Sequence, residues 1–269
     1  MISFPNCKIN IGLYITGKRE DGFHNLESIF YPIPFNDVLE ILPSDTFSFQ
    51  SAGFNVTNSP DENICVKAYE LLKEKYDLPP VKMYLLKNIP SGAGLGGGSS
   101  NAASTLSMLN EIFELKLSLG ELEKYAEILG SDCPFFIKNL PVFVKGRGEI
   151  LEQINFSLQG KNLFIVHPGI HISTKEAFAN MTPQKPEGNL LVQALYRPMS
   201  TWQDTIKNDF EPYAFSKYPI LQNIKDTLLN LGAEYVSMSG SGSAIYAISE
   251  NELNLKSQFN NFTTWSGKL

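Results

Sequence analysis

Several absences narrow the chain before any motif is read. Its three cysteines, Cys7, Cys65 and Cys133, are odd in number, far apart and never spaced C-x-x-C. That excludes a disulfide framework and fits a reducing compartment. No stretch approaches the roughly 18 apolar residues that a membrane-spanning helix needs. The opening Met1-Ile2-Ser3-Phe4-Pro5-Asn6 has no apolar signal region. The expectation is a cytoplasmic chain without a membrane anchor. Basic charge is short as well: 22 Lys and Arg against 28 Asp and Glu leave a net charge of −6. The basic residues are scattered, so no nucleic-acid partner is expected, while a local pocket for a phosphorylated ligand is compatible with this balance. Two nucleotide-binding signatures are also missing. No Lys-Ser or Lys-Thr follows the glycine run, which rules out a P-loop, and neither His-Arg-Asp nor Asp-Phe-Gly occurs, which rules out the protein-kinase pattern.

What is present is a globular composition, 43% hydrophobic and 19% charged over 269 residues, enough for one large domain or two modest ones. Its most informative stretch runs from Ile89 to Ser104, with five glycines between Gly92 and Gly98. Glycine loses the most backbone freedom on ordering, so such a run makes a poor strand and a poor helix. It offers bare N–H groups that a ligand can approach. Ahead of it, Val81, Met83 and Leu85 alternate with Lys82, Tyr84 and Leu86, which predicts a strand ending near Asn88. Behind it, Ala102, Ala103, Leu106, Leu109, Ile112 and Phe113 recur at helical spacing, with Ser99, Ser100 and Asn101 as cap residues. Strand, glycine loop and helix start make an anion site, phosphate above all, because the helix N-terminus carries partial positive charge and unsatisfied donors. The competing reading is a tight structural turn. Gly92-x-Gly94-x-x-Gly97 also fits the dinucleotide fingerprint, a weak match on its own.

Along the rest of the chain, Ile9, Ile11 and Leu13 alternate with Lys8, Asn10 and Gly12, a strand whose Lys8–Asn10 face reads as solvated. A turn follows, ending in Asp21-Gly22, a hairpin signal. His24 just beyond it reads as an exposed polar residue. Strands are expected over Leu26 to Pro34 and Val38 to Leu42. Asp61 is the expected cap of a helix with Ile64, Ala68, Leu71 and Leu72 as its apolar stripe; Asn63 is an odd choice there on propensity. Ser118-x-x-Glu121 is a capping box opening a helix that Gly130 ends. Asp132 then serves equally well as a cap for the turn at Pro134 or as a catalytic carboxylate. Pro141 to Lys145 and the wholly apolar Asn162 to Val166 are strands, the latter buried on both faces. The domain boundary is placed before it, giving domains 1–157 and 158–269. Pro168-Gly169 between His167 and His171 denies them a shared helical face, so no zinc site is expected. Thr174 to Ala179, Ile220 to Leu231 and Asn251 to Phe259 are expected helices. A strand–turn–strand surrounds Ser239-Gly240-Ser241-Gly242, and a last strand covers Phe262 to Trp265.

Pro90-x-x-x-Gly94-Leu95-Gly96-Gly97-Gly98-Ser99-Ser100-Asn101-Ala102-Ala103 resembles the phosphate-binding motif of the GHMP small-molecule kinases. The triple glycine followed by Ser-Ser-Asn-Ala-Ala is most similar to the branch acting on a cytidine-diphosphate-linked methylerythritol. Lys8-Ile9-Asn10, Gly17-x-x-x-Asp21-Gly22-Phe23-His24, Asp61-Glu62-Asn63-Ile64, Gly130-Ser131-Asp132-Cys133-Pro134-Phe135-Phe136, Asn208-Asp209-Phe210-Glu211 and Ser239-Gly240-Ser241-Gly242-Ser243 resemble that branch's other blocks, in its order and over nearly the full chain. The resemblance implies an α+β, two-domain fold. Its N-terminal domain has a left-handed βαβ unit, its C-terminal domain is ferredoxin-like, and the active site lies in the cleft between.

It also implies an ATP-dependent kinase, with Mg²⁺ accompanying the ATP, that phosphorylates the 2-hydroxyl of a small cytidyl substrate in isoprenoid precursor synthesis. Asp132 would be the base, with Lys8 beside it. ATP would meet Asn63, Pro90, Gly92, Gly94, Leu95, Gly96, Gly97, Gly98, Ser99, Ser100, Ser241 and Gly242. The substrate would meet Asn10, Phe23, His24, Thr174 and Phe178. Ser99 and Ser100 are the nearest hydroxyls for Mg²⁺; no acidic ligand is identified. The chain departs from the pattern at Phe23, where tyrosine is common, and at Ser243, where many relatives have proline. A kinase for mevalonate, homoserine or a sugar, a non-catalytic regulator on the same fold, and a dinucleotide-dependent oxidoreductase are the competing readings. A monomer or weak homodimer is expected.

Overall fold

The computed structural model describes residues 1–54, 60–181, 183, 190–253 and 258–269. In chain order the elements are β1 (Ile2–Ser3), β2 (Asn6–Lys18), β3 (His24–Asn36), β4 (Val38–Pro43), β5 (Ser48–Gly53), α1 (Ile64–Tyr76), β6 (Val81–Lys87), α2 (Gly97–Ile112), α3 (Leu119–Leu129) and α4 (Cys133–Lys138). They continue with β7 (Val142–Lys145), β8 (Ile150–Gln153), β9 (Asn162–His167), α5 (Thr174–Ala179), α6 (Leu190–Leu195), α7 (Trp202–Thr205), α8 (Glu211–Lys217), α9 (Pro219–Asn230), β10 (Tyr235–Met238), β11 (Ile245–Ser249) and β12 (Thr263–Lys268). Packing divides the chain into two compact units that interleave in sequence. One comprises Met1–Cys7, Phe35–Ser91 and Gly96–Leu140; the other comprises Lys8–Pro34, Gly92–Leu95 and Pro141–Leu269.

The first unit is a sheet of order β1-β4-β6-β5 with α1 to α4. β5 and β6 are a parallel pair joined through α1, the expected βαβ unit. A two-residue turn cannot link parallel strands, so a crossover is obligatory here. β6 alternates buried and exposed, with Val81, Met83 and Leu85 inward, as its sequence predicts. These three pack with Leu39 and Ile41 of β4, with Ala68, Tyr69 and Leu72 of α1, and with Leu106 and Leu109 of α2. The α1 stripe is rotated from the expected one: Cys65, Val66 and Tyr69 are buried, whereas Ile64 and Leu71 are only half-buried. Asp61 is not its cap. Asp61 lies in a short 3-10 turn, Pro60–Glu62, and Asn63 caps the helix, its Oδ1 accepting the Cys65 N–H at 2.9 Å. That answers the puzzle of Asn63, since Asn is poor inside a helix and good at its cap. The Ser118/Glu121 capping box is present at α3. Cys65 and Cys133 are buried thiols, each pushed up to about 11 by burial.

One polar cluster sits inside this unit, where sequence patterning shows only isolated charges. Asp37 is fully buried between β3 and β4. Its Oδ2 accepts from the Lys87 ammonium and from Asn101 Nδ2 at 2.9 Å, while Lys87 also donates to Asn101 Oδ1 at 3.0 Å. Asp37 Oδ1 accepts the backbone N–H groups of Asn88 (2.8 Å) and Ile89 (2.9 Å). The carboxylate thus closes its own hydrogen-bonding account and fixes the exit of β6, where the glycine loop begins.

The second unit carries two sheets, β2-β3-β7-β8 and β10-β11-β9-β12, the latter antiparallel throughout. β9 is buried from Leu163 to His167, as expected of its apolar run. α5, α8 and α9 supply apolar side chains to a core with Leu13 and Ile15 of β2 and with Phe164, Val166, Val236, Met238, Ile245 and Ala247 of the sheet. α9 buries Leu221, Ile224, Lys225 and Leu228 and leaves Ile220 exposed; Lys225 is tolerated because it pairs with Glu211 at 2.6 Å. The helix expected over Asn251–Phe259 falls on residues 254–257, which lie outside the described ones, and the flanking 251–253 and 258–259 are not helical. Among the described residues no helix is long and apolar enough to cross a membrane.

The solvated reading of the Lys8–Asn10 face is overturned. β2 is buried on both faces from Cys7 to Leu13, with Lys8 3% and Asn10 2% exposed. Period-two patterning reports only one covered face; the other is covered here by residues 92–95 and by β3, which local sequence does not reveal.

Replacing Asp37 by alanine leaves the Lys87 charge buried without its carboxylate and strands two backbone donors. The expected loss is about 3–5 kcal/mol, read as a lower urea midpoint with an unchanged slope. A loss under about 1 kcal/mol would show that the cluster behaves as a surface pair.

Candidate active site

In the first unit the site begins at the exit of β6. Lys87, Asn88 and Ile89 are held by Asp37, Pro90 is buried, and α2 starts at Gly97. Its cap is not Ser99, Ser100 or Asn101. Gly96 occupies that position at φ 70°, a left-handed conformation that side chains resist, and no side chain caps the helix. Ser99 and Ser100 lie in the first turn, and Asn101 points into the core toward Asp37. The helix therefore offers first-turn N–H groups without a side-chain oxygen of its own competing for them, the arrangement that favours an anion. A Cβ on Gly97 would fall 2.8 Å from Ile89 Cγ2 and 3.2 Å from Lys87 Nζ, whereas Gly98 faces open space.

α4 packs on α2 and brings Cys133 beside the Ser99 hydroxyl. Asp132, at the N-terminus of α4, makes no side-chain capping hydrogen bond, so its capping reading is not the one the helix uses. Asn63 keeps an unspent donor: its Nδ2 is buried and has no hydrogen-bond partner among the described residues. A buried, unpaired amide N–H costs about 1–3 kcal/mol, so it calls for an acceptor beyond the described residues. Those observations fit a nucleotide, with a ring acceptor near Asn63 and phosphates at α2. Among the described residues no group of three or more His, Cys, Asp and Glu is placed to hold a metal ion. Mg²⁺ commonly needs only one or two protein ligands beside substrate phosphates.

In the second unit, residues 92–95 lie against β2 and the β10–β11 turn. Lys8 N donates to Leu95 O at 2.9 Å and Ala244 N to Ala93 O at 3.1 Å. Gly94 makes the closest approach: a Cβ there would sit 1.9 Å from Ser239 O, and Ser239 Oγ donates to Gly94 O at 2.8 Å. No side chain fits at position 94, which explains that glycine better than ligand access alone. Ser239 escapes a reading centred on Ser241 and Gly242. Ser241 instead meets Thr174, hydroxyl to hydroxyl at 3.1 Å, and Gly242 N closes the turn onto Ser239 O at 3.0 Å. The turn is braced from below by Asn208, whose Nδ2 donates to Met238 O (2.7 Å) and Gly240 O (2.9 Å). Glu211 accepts from Met238 N at 2.8 Å. The Asn208-Asp209-Phe210-Glu211 block is thus a brace for the second glycine turn.

The Lys8 ammonium donates to Asn10 Oδ1 at 2.5 Å and to Gly94 O at 3.2 Å, and lies 4.5 Å from the centre of the Phe30 ring. At the far end of β2, His24 is half-buried and stacks on Phe178 with centroids 5.2 Å apart and planes 18° from parallel. Phe178 rests edge-on against Phe210 at 5.0 Å. His24 is therefore not the freely solvated residue its position after a turn suggests. Phe23 is 56% exposed, and its ring lies 5.1 Å from the Arg147 guanidinium. The turn before it is fixed by Asp21, whose carboxyl is held below the usual range chiefly by the Phe23 N–H and then by Arg19.

Comparison with known proteins bears on this arrangement. The pattern described as GHMP kinases N terminal domain matches residues 63–139, and that described as GHMP kinases C terminal matches residues 191–263. The 4-diphosphocytidyl-2-C-methyl-D-erythritol kinase of Bacteroides fragilis is 48% identical over 252 residues, covering 92% of each chain. That of Bacteroides thetaiotaomicron is 48% identical over 256 residues, covering 94% of this chain and 93% of its own. A crystal structure of 4-(cytidine 5'-diphospho)-2C-methyl-D-erythritol kinase superposes with a TM-score of 0.80 at 30% identity, covering 93% of this chain and 91% of that one. A mevalonate kinase structure shares the fold at a TM-score of 0.74 and 16% identity, covering 99% of this chain and 98% of that one. A glycine loop seated on a second glycine turn, a bare helix N-terminus and matches of this length agree: the chain belongs to the GHMP kinases, among the 4-diphosphocytidyl-2-C-methyl-D-erythritol kinases.

Proposed function

We propose that the chain transfers the γ-phosphoryl group of ATP to the 2-hydroxyl of 4-diphosphocytidyl-2-C-methyl-D-erythritol, in the non-mevalonate route to isoprenoid precursors. The observation that carries this reading is the buried Lys8 ammonium, held against the carbonyl of Gly94 within the glycine loop. Phosphoryl transfer asks for positioning and for cancellation of phosphate charge more than for covalent help from the protein. The amides from Gly94 to Ser100 and the α2 N-terminus supply fixed dipoles for the phosphates, and Asn63 supplies a donor for adenine. Pro90, Gly92 and Leu95 shape the loop, and Ser241 with Gly242 belongs to the turn beneath it. Mg²⁺ accompanying the ATP would be held near the Ser99 and Ser100 hydroxyls in the first turn of α2 and would supply positive charge against the phosphates.

Asp132 accepts the proton of the 2-hydroxyl as its oxygen attacks the γ-phosphorus and the bond to ADP breaks. Lys8 stabilises negative charge on the reacting oxygens. The His24–Phe178 stack is the cytosine platform, since an imidazole both donates and accepts along a pyrimidine edge. Phe23 lends a ring face, and Asn10 and Thr174 meet the rest of the substrate. The same reading makes the protein a cytoplasmic enzyme, monomeric or weakly dimeric, with no nucleic-acid or membrane partner; its boundary near residue 158 divides the chain in sequence, whereas the two packing units interleave and last change over at Leu140–Pro141.

The test is an ATP-consumption assay with the cytidyl substrate, mevalonate and homoserine in parallel. Turnover is expected with the first alone; equal turnover with mevalonate would reassign the substrate within the same fold. Asp132→Asn is expected to lower kcat about 10²–10⁴-fold with both KM values nearly unchanged, and a variant keeping most of its kcat would remove Asp132 as base. His24→Ala should raise KM for the cytidyl substrate far more than for ATP; an equal rise in both would sink its role with cytosine.

A further inference from the structure

Ser28 lies on β3, fully buried, beyond the reach of any motif in the sequence. Its hydroxyl donates to the carbonyl of Gly12 at 2.6 Å, and its oxygen accepts from Asn10 Nδ2 at 2.9 Å. Asn10 Oδ1 in turn accepts from Lys8 Nζ at 2.5 Å. The direction of every bond in this line follows from chemistry. Gly12 O is a carbonyl and can only accept, so the single Ser28 proton points to it. The Ser28 lone pair then faces Asn10, which must offer its NH₂ and so turns its oxygen to Lys8. An ammonium has donors only, so the other end of the line demands the same orientation. All four groups are on β2 and β3 of one unit and all are shielded from water.

We infer that Ser28 is a positioning residue for phosphoryl transfer, holding the Asn10 amide so that its oxygen aims the Lys8 ammonium at the glycine loop. The inference rests on the role given to Lys8 above. Without the hydroxyl, Asn10 Nδ2 and Gly12 O both lose their buried Ser28 partner. They can satisfy each other only if the Asn10 side chain swings toward Gly12, and that movement draws Oδ1 off Lys8. The ammonium then shifts among its remaining contacts, which include Gly94 O at 3.2 Å and the Phe30 ring. Neither the loop's backbone nor the His24–Phe178 stack is touched by the change, so ATP binding survives and the cytidyl substrate loses no more than its Asn10 contact. What is lost is alignment, and displacements near 1 Å are worth up to about 10²-fold in rate.

The test compares Ser28→Ala, Ser28→Thr and Lys8→Ala in the full-length enzyme, with kcat, both KM values and Tm for each. Ser28→Ala is expected to lower kcat about 10- to 100-fold while KM for ATP stays within about twofold, and Ser28→Thr, which keeps a hydroxyl at the same carbon, is expected to restore most of kcat. An unchanged kcat in Ser28→Ala, with or without a fall in Tm, overturns the inference and leaves Ser28 a packing residue. So does a loss confined to KM, or one that Ser28→Thr fails to repair. If Lys8→Ala itself keeps kcat, the reading of Lys8 fails first; if Lys8→Ala is inactive and Ser28→Ala is as fast as the parent, only the inference about Ser28 fails.

Discussion

The buried carboxylate of Asp37 is the constraint on which the glycine loop depends. A loop with five glycines in seven residues has little preference of its own, and what little order it has must be imposed from outside. Asp37 imposes it at the entry. Two backbone N–H groups just before the loop, a lysine at the end of β6 and an asparagine one turn into α2 all converge on one carboxylate. Removing water from such a cluster is expensive, and it is tolerated because each charge and each lone pair finds a partner inside it. The strand end and the helix start are thereby locked together across the residues that connect them, so the first turn of α2 has a defined place whether or not a ligand is present.

The middle of the loop is held differently, by contact rather than by charge. At Gly94 the backbone lies so close to Ser239 that any side chain would overlap a carbonyl oxygen. Ser239 adds one hydrogen bond to Gly94 O, and Lys8 adds another to the same atom. The second glycine turn is itself held by Asn208, just ahead of α8, and by Glu211 at its start, in addition to its own Gly242 N to Ser239 O bond. Three sequence blocks far apart in the chain, around residues 8, 94 and 239, therefore act as one object. Their glycines are required by close approach; their polar residues are required because close approach buries backbone groups that must be paired.

This division explains what was legible in the sequence. The strand–loop–helix unit, the capping box at Ser118 and the doubly buried β9 are local patterns, and their periodicities are visible within a dozen residues. The failures of burial are long-range, whereas the misplaced caps of α1 and α2 are local. Lys8 and Asn10 read as solvated because nothing within β2 announces that residues 92–95 will cover them. Ser99 to Asn101 read as caps because they are the standard capping types, but the helix begins two residues earlier, where two consecutive glycines carry no propensity signal to mark it. Asp37 and Lys87 look like ordinary surface charges beside a turn and at a strand end. Asn63 is the instructive middle case: it was out of place as a helix residue, and the anomaly had a cause, since the side chain is a cap on one side and an unspent donor on the other.

Hydrogen-bond polarity along β2 fixes orientation as well as position. Lys8 and Asn10 are two residues apart and share a face, so their contact is no more than strand geometry provides. An amide, however, has two unlike ends, and strand geometry does not choose between them. The choice is made by a residue on the neighbouring strand and by a carbonyl that can only accept. A cation placed in this way is directed by a hydroxyl on the neighbouring strand and by a backbone carbonyl. Its arrangement therefore depends on the interior of the sheet as much as on the loop it faces.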